Sequence, residues 1–183
     1  MAQNTASRSK SKVLTVRETV IFALLGAMMM VSDLLMEALP NIHLLGVFIV
    51  SSTVVYRWKA LYPIYIYVFL YGLTLGFGIW WVPYLYVWTV LWGMTMLLPK
   101  KMPKWLAPIV YTGVSTLHGL LFGIIYAPAQ ALLMGFTFKQ TMAWIASGFY
   151  FDITHAIGNL CLGVLIVPMI HTLRLADKVA RKE

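Results

Sequence analysis

The stretch Val20 to Gly46, VIFALLGAMMMVSDLLMEALPNIHLLG, combines an apolar run long enough to span a bilayer with a small-residue motif, two acids and a polar turn. At about 100° per residue, Ala23, Gly26, Met30, Asp33 and Glu37 fall on one narrow stripe, with Leu24, Leu25, Met28, Leu35 and Met36 opposite. One side is expected to face lipid and the other protein. A carboxylate in the hydrocarbon region costs a few kcal/mol or more, so Asp33 and Glu37 are expected to look inward to a partner, a cavity or water. The remainder of the chain has to supply that interior.

Of the 183 residues, 61% are hydrophobic and only 11% charged, too apolar for a soluble domain with a polar surface. The composition predicts an all-α integral membrane protein. In a soluble chain a net charge of +8 would suggest a nucleic-acid partner, but here the basic residues sit where topological markers sit, and no nucleic acid is implied. Cys161 is the sole cysteine, which excludes an internal disulfide and a cysteine-based metal cage. The basic N-terminal run leads into an apolar segment without a small-residue cleavage site, so the first helix is read as uncleaved.

With about 20 apolar residues needed per span, six candidates emerge: residues 20–39, 44–56, 61–77, 82–98, 105–133 and 142–173. The second is too short to cross upright, and Pro128 in the fifth is the expected break. Arg8, Lys10, Lys12 and Arg17 precede the first span, Arg57 and Lys59 follow the second, and Lys100, Lys101 and Lys104 follow the fourth. Arg174, Lys178, Arg181 and Lys182 follow the sixth, which leaves Lys139 as the one basic residue on the other side. By the positive-inside rule this predicts a compact single six-helix bundle with both ends cytoplasmic. Residues 1–16 are expected to form a disordered basic tail, 17–176 the membrane domain, and 177–183 a second basic tail.

The opposite side gathers Glu37, Asn41, His43, Trp80, Trp81, Tyr84, Tyr86, Trp88, Tyr126, Gln130 and Phe149. An interfacial aromatic belt would account for the Trp and Tyr residues alone. Asn41, His43 and Gln130 beside them favour an outward pocket whose aromatic walls stack on an organic solute while a few polar groups orient it. Substrate contacts are therefore expected from Glu37, Asn41, His43, Trp81, Tyr84, Trp88, Tyr126, Gln130 and Phe149.

Within the sixth span, Gly148, Asp152, His155, Asn159 and Gly163 recur at helical spacing, and His118 in the fifth lies at similar depth with Ser115 one turn before it. Asp33, His118, Asp152, His155 and Asn159 are expected to form a buried polar network that bonds helix to helix. Two sharper readings are a proton relay through Asp33, Glu37, His118, Asp152 and His155, and a membrane-embedded enzyme using His118, Asp152 and His155. No HExxH or GxSxG motif supports catalysis, and the chain is expected to be neither an enzyme nor a holder of metal or cofactor.

Six spans in under 200 residues, two cytoplasmic ends, and Ala23-x-x-x-Ala27 in the first helix together resemble the substrate-binding S components of energy-coupling factor (ECF) vitamin transporters. The resemblance implies that Ala23 and Ala27, assisted by Gly26, dock the transmembrane coupling subunit, small residues allowing close helix approach in lipid. It also implies residence in a bacterial cell membrane, capture of a vitamin from outside, and reorientation driven by two ATPase subunits. The loop Pro40 to His43 would contribute to a lid. No GxxxxGK[ST] loop is present, so ATP hydrolysis would fall to the partners.

The scarcity of cations outside disfavours anionic vitamins. A cationic solute such as thiamine could use Glu37 or Asp33 within an aromatic cage, and riboflavin or cobalamin could use stacking with amide and histidine hydrogen bonds. EALPNIHLLG and WWVPYLYVWTVLWG look most like the cobalamin-type S components of Firmicutes, which makes cobalamin (vitamin B12) the first expectation.

Overall fold

A computed structural model describes residues 14–179, and among these the chain is all-helical. The first apolar run forms α1 (Val16–Leu35), started by Thr15, whose hydroxyl accepts the Glu18 N–H while the Glu18 carboxylate accepts the Thr15 N–H. This reciprocal cap satisfies two donors that a helix start otherwise leaves bare. The short second run forms α2 (Leu45–Tyr56), buried along its first three turns because every neighbour packs around it. A 3-10 turn, Arg57–Ala60, leads into α3 (Leu61–Leu75), and a second, Ile79–Trp81, precedes α4 (Tyr84–Met96).

The fifth run divides into α5 (Leu106–Leu120) and α6 (Phe122–Met134), and the sixth into α7 (Phe138–Leu162) and α8 (Ile166–Val179) across a 3-10 turn at Gly163–Leu165. Gly135 ends α6 at φ 67°, a left-handed cap that glycine adopts without steric penalty. Thr137 and Gln140 then start α7 with a second reciprocal cap. The six apolar runs thus become six rods, two of them jointed.

The joint in the fifth rod does not fall at Pro128, as expected, but at Leu121, and Pro128 sits inside α6. The reason is a contact from another helix. Asp152 of α7 accepts the Gly123 N–H at 2.9 Å, taking the donor that a continuous helix would direct at residue 119. Gly123 permits the approach, since a Cβ there would stand 2.5 Å from the second Asp152 oxygen.

α2 lies at the centre, against α4, α8 and α1, while α5 and α7 pack along most of their length and α1 lies on α3. The fully buried side chains include Trp88, Tyr67, Phe22, Met29, Ile49 and Ile166. The outside is apolar as well: Leu24, Phe69, Ile109 and Val164 are each more than half exposed. Three stretches, Val16–Leu35, Leu106–Met134 and Phe138–Lys178, are long and apolar enough to cross a membrane by length and composition. An outer surface of this kind in a water-soluble monomer would be exceptional.

The start of α1 and the end of α8 meet at one end of the bundle, where Arg17 pairs with Asp177 at 3.1 Å and Glu18 pairs with Lys59. The expected membrane domain of 17–176 starts one residue late against α1, and α8 continues through the 176/177 boundary. Residues 1–13 and 180–183 of the two expected tails lie outside the described residues.

An acidic and aromatic candidate binding site

At the other end of the bundle, two adjoining cavities open between the helices. The deeper, about 180 Å³, is lined by Asp33, Glu37, Asn41, His43 and Ile42 from the α1–α2 segment and by Tyr67, Tyr71, Tyr84, Trp88, Phe122 and His155 from four other helices. The wider, about 580 Å³, is lined by Trp80, Tyr126, Gln130, Trp144, Phe151 and Asp152, and shares Asn41 and Phe122 with the first. Among the described residues, no lysine or arginine stands in the wall of either.

α1 ends at Leu35, so Asp33 projects from its last turn and Glu37 stands in the turn beyond, exposed rather than inside a span that was expected to reach Leu39. The Tyr67 hydroxyl donates to the Asp33 carboxylate at 2.9 Å. Tyr71, one helical turn on, lies edge-on to Trp80 and tilted against Tyr84 at 5.5 Å, and Tyr84 in turn contacts Trp88 at 5.8 Å. The result is a ring-lined chamber with a carboxylate at its side, the arrangement that attracts a cation to aromatic faces. In the wider chamber Tyr126 stacks on Trp144 at 5.8 Å and donates its hydroxyl to the Trp80 carbonyl.

Two histidines, His43 and His155, line the deeper chamber, and a third, His118, packs behind them. His43 meets His155 edge-on at 4.6 Å, and His155 meets His118 at 6.3 Å. His118 is held by its Nε2 at 2.9 Å from the Val87 carbonyl. Nδ1 of His43, Nε2 of His155 and Nε1 of Trp88 are buried without a hydrogen-bond partner in the chain, and so is the second oxygen of Asp152. Buried polar atoms are ordinarily satisfied, and those left open in one place point to water or ligand. No group of three or more metal-ligating side chains is arranged to hold a metal among the described residues. His43, on the connection between α1 and α2, has its imidazolium disfavoured by burial and then by nearby His118, which lowers its pKa to about 4. It is neutral at physiological pH and presents one donor and one acceptor.

Seven of the nine expected substrate contacts, Glu37, Asn41, His43, Tyr84, Trp88, Tyr126 and Gln130, line one cavity or both. Asn41 does so from a left-handed backbone at φ 59°, which its short amide side chain tolerates. Trp81 lines neither chamber: its indole N–H donates to the Val68 carbonyl at 2.8 Å and its ring packs on Phe77. Phe149 is half exposed on the outer side of α7, away from both. Tyr67, Tyr71 and Trp144 escaped sequence reasoning. The spacing carried a signal, because Tyr67 and Tyr71 repeat on α3 the interval of four that separates Asp33 from Glu37.

The residues of the expected polar network have different partners. Asn159 donates to the Ser115 carbonyl at 2.9 Å and Asp152 caps α6, so both join helices, whereas Asp33 and His155 face the deeper chamber. The small-residue seam also divides. Ala23 and Ala27 are exposed among Val20, Leu24, Met28 and Val31, but Gly26 is buried, and a Cβ on it would stand 2.4 Å from Ile66 of α3. Gly26 therefore packs α1 on α3 and is not part of the outward seam, and the stripe expected to hold Ala23 with Gly26 and Asp33 on one face splits between outside and inside. No family model, curated protein or solved structure matches the chain.

Proposed function

We propose that this chain is the substrate-binding membrane subunit of an ECF-type vitamin importer, crossing a bacterial cell membrane six times with both ends in the cytosol. The observation that carries the reading is the pair of ring-lined chambers whose walls leave buried donors and acceptors open. They lie at the end of the bundle away from the meeting of Arg17, Asp177, Glu18 and Lys59. Arg17 and Lys59, and Arg57, Lys100, Lys104 and Arg174, gather at helix ends on one side of the bundle, which supports an even number of crossings with cytoplasmic termini. The exposed Ala23–Ala27 seam offers a surface for the coupling subunit, and the two ATPase subunits would supply the energy.

The deeper chamber favours a compact substrate bearing a flat ring and a positive charge or amine, of the thiamine kind, because two carboxylates and no cation face it. Cobalamin, the first expectation from the sequence, would have to occupy both chambers across Asn41 and Phe122 and extend out of them. The shared wall of Asn41 and Phe122 supports that second reading. The chain is proposed to have no catalytic activity of its own, since Asn159 and one oxygen of Asp152 are engaged in joining helices and the open groups, the second Asp152 oxygen among them, line the two cavities.

The test is equilibrium binding of thiamine, riboflavin and cobalamin to the purified chain, followed by uptake into vesicles. Tight binding of one vitamin without ATP, with uptake only when the coupling and ATPase subunits are added, is the expected result. Uptake by the chain alone that follows a pH gradient would replace this reading with a proton-coupled carrier. Ala27→Trp is expected to abolish assembly with the coupling subunit and leave vitamin affinity within about twofold, as its bulk blocks an outward seam. Loss of vitamin binding in that variant would refute the docking assignment.

A further inference from the structure

The basic end of the bundle carries a concavity that the substrate reading does not use. Between the α4–α5 connection, the start of α5 and α8 lies a groove of about 490 Å³ walled by Lys100, Lys101, Lys104, His171 and Arg174, with Ala107, Val167 and Ile170 in its base. It adjoins a smaller recess of about 170 Å³ through Lys100 and Tyr111, which line both. Arg57 lines the recess, and among the described residues no carboxylate lines either space.

Arg57 is held in an unusual way. Its backbone sits at φ 56°, one of two non-glycine residues in the left-handed region among the described residues. Trp92 pins its carbonyl at 3.1 Å, and one guanidinium nitrogen donates to the Met96 carbonyl at 2.8 Å. Its Nε is buried with no partner. A strained residue that presents an open guanidinium donor beside a lysine cluster is organised for an anion. The base of the groove is apolar, and Leu97 and Trp105, 87% and 71% exposed, flank the lysines in the chain as residues seated at a membrane interface do.

We infer that this groove binds the phosphate headgroup of one anionic phospholipid, with Arg57 and the three lysines facing the phosphate and an acyl chain lying along the apolar base. Basic pockets between helices at the cytoplasmic surface suit such headgroups, each Lys or Arg contributing about a factor of five in affinity. The assignment rests on the membrane insertion proposed above but not on the vitamin. A chain that fails to enter vesicles at all would sink the membrane reading, whereas a chain that enters without lipid preference would sink this one alone.

The experiment is native mass spectrometry of the full chain released from nanodiscs containing phosphatidylcholine and phosphatidylglycerol. One phosphatidylglycerol is expected to remain bound in preference to phosphatidylcholine. Joint replacement Lys100→Gln, Lys101→Gln and Lys104→Gln should reduce that preference about a hundredfold, and Lys139→Gln should leave it unchanged. Arg57→Gly suits the left-handed backbone, so it should keep the fold while lowering the preference about fivefold. Equal retention of the two lipids, or an unchanged preference in the triple variant, overturns the inference. Displacement of the lipid by inorganic phosphate at equal effectiveness would assign a free-anion site instead and overturn it too.

Discussion

Two regions along α7, the crossing contacts at Asp152 and Asn159 and the chamber contact at His155 between them, use the same kinds of residue to opposite ends. Where α7 crosses α5 and α6, side chains bond to backbone within the chain: Asn159 reaches Ser115, one oxygen of Asp152 reaches Gly123 while its other oxygen opens on the wider chamber, and glycines admit the backbones. Between those contacts, His155 meets His43 and Trp88 bounds the same space, and there buried nitrogens stay open. The first region is held by hydrogen bonds internal to the fold, one from each of Asn159 and Asp152. The second keeps its polar groups available, which in a low-dielectric interior is unfavourable unless water or a ligand completes them. Burial and polarity alone do not separate a packing residue from a binding one; the state of its hydrogen bonds does.

The comparison is broken most forcefully at the crossing. Gly123→Val places a branched side chain where a Cβ already meets Asp152 at 2.5 Å, and it disturbs the bond that joints the fifth rod. Overpacking costs roughly 1–3 kcal/mol, and losing a charged acceptor's bond adds to it, so a loss of about 3 kcal/mol or more is expected. Thermal unfolding in detergent, followed by circular dichroism, measures it. An unchanged midpoint would mean that the joint at Leu121 does not depend on this contact.

A pair of leucine substitutions sharpens the contrast. Asn159→Leu strands the Ser115 carbonyl in the interior and should destabilise by roughly 1–3 kcal/mol. His155→Leu removes a nitrogen that has no partner, so stability should hold or rise by up to about 1 kcal/mol while vitamin affinity falls at least tenfold. Equal destabilisation by the two would erase the distinction between crossing and chamber.

Much of this layout was legible in the sequence, because long apolar runs and the placement of lysine and arginine are local signals. Each apolar run is helical in the structure, and Asp152, His155 and Asn159 of the polar stripe on α7 are buried. The capping pairs Thr15–Glu18 and Thr137–Gln140 carry a sequence signal that span starts at residues 20 and 142 left unused, and they fix two helix starts. The joint was not readable, since the proline rule describes a helix alone and here a carboxylate from α7 decides the matter. For the same reason Gly26 and Ala23 could not be told apart before α3 was seen to lie against one and not the other. Nor does anything local to Arg57 announce its left-handed backbone, which depends on Trp92 and Met96 some 35–39 residues away.

The smallest expected effect reports on the open chamber through protons. His43 has a pKa near 4 in the folded chain against 6.5 ordinarily, so the unfolded chain takes up a proton over that interval which the folded chain refuses. Stability attributable to this residue is therefore complete above about pH 7 and declines as pH falls from 6.5 toward 4, by on the order of 1 kcal/mol at about pH 5.5. The check is the pH dependence of unfolding in wild type against His43→Gln, because other groups titrate in the same range and only the difference belongs to His43. The variant should show the shallower decline, and added vitamin should not change that ordering. If the two curves run parallel, His43 gains its proton freely in the folded chain, the wall of the chamber is wet, and the crossing and the chamber differ less than their hydrogen bonds suggest.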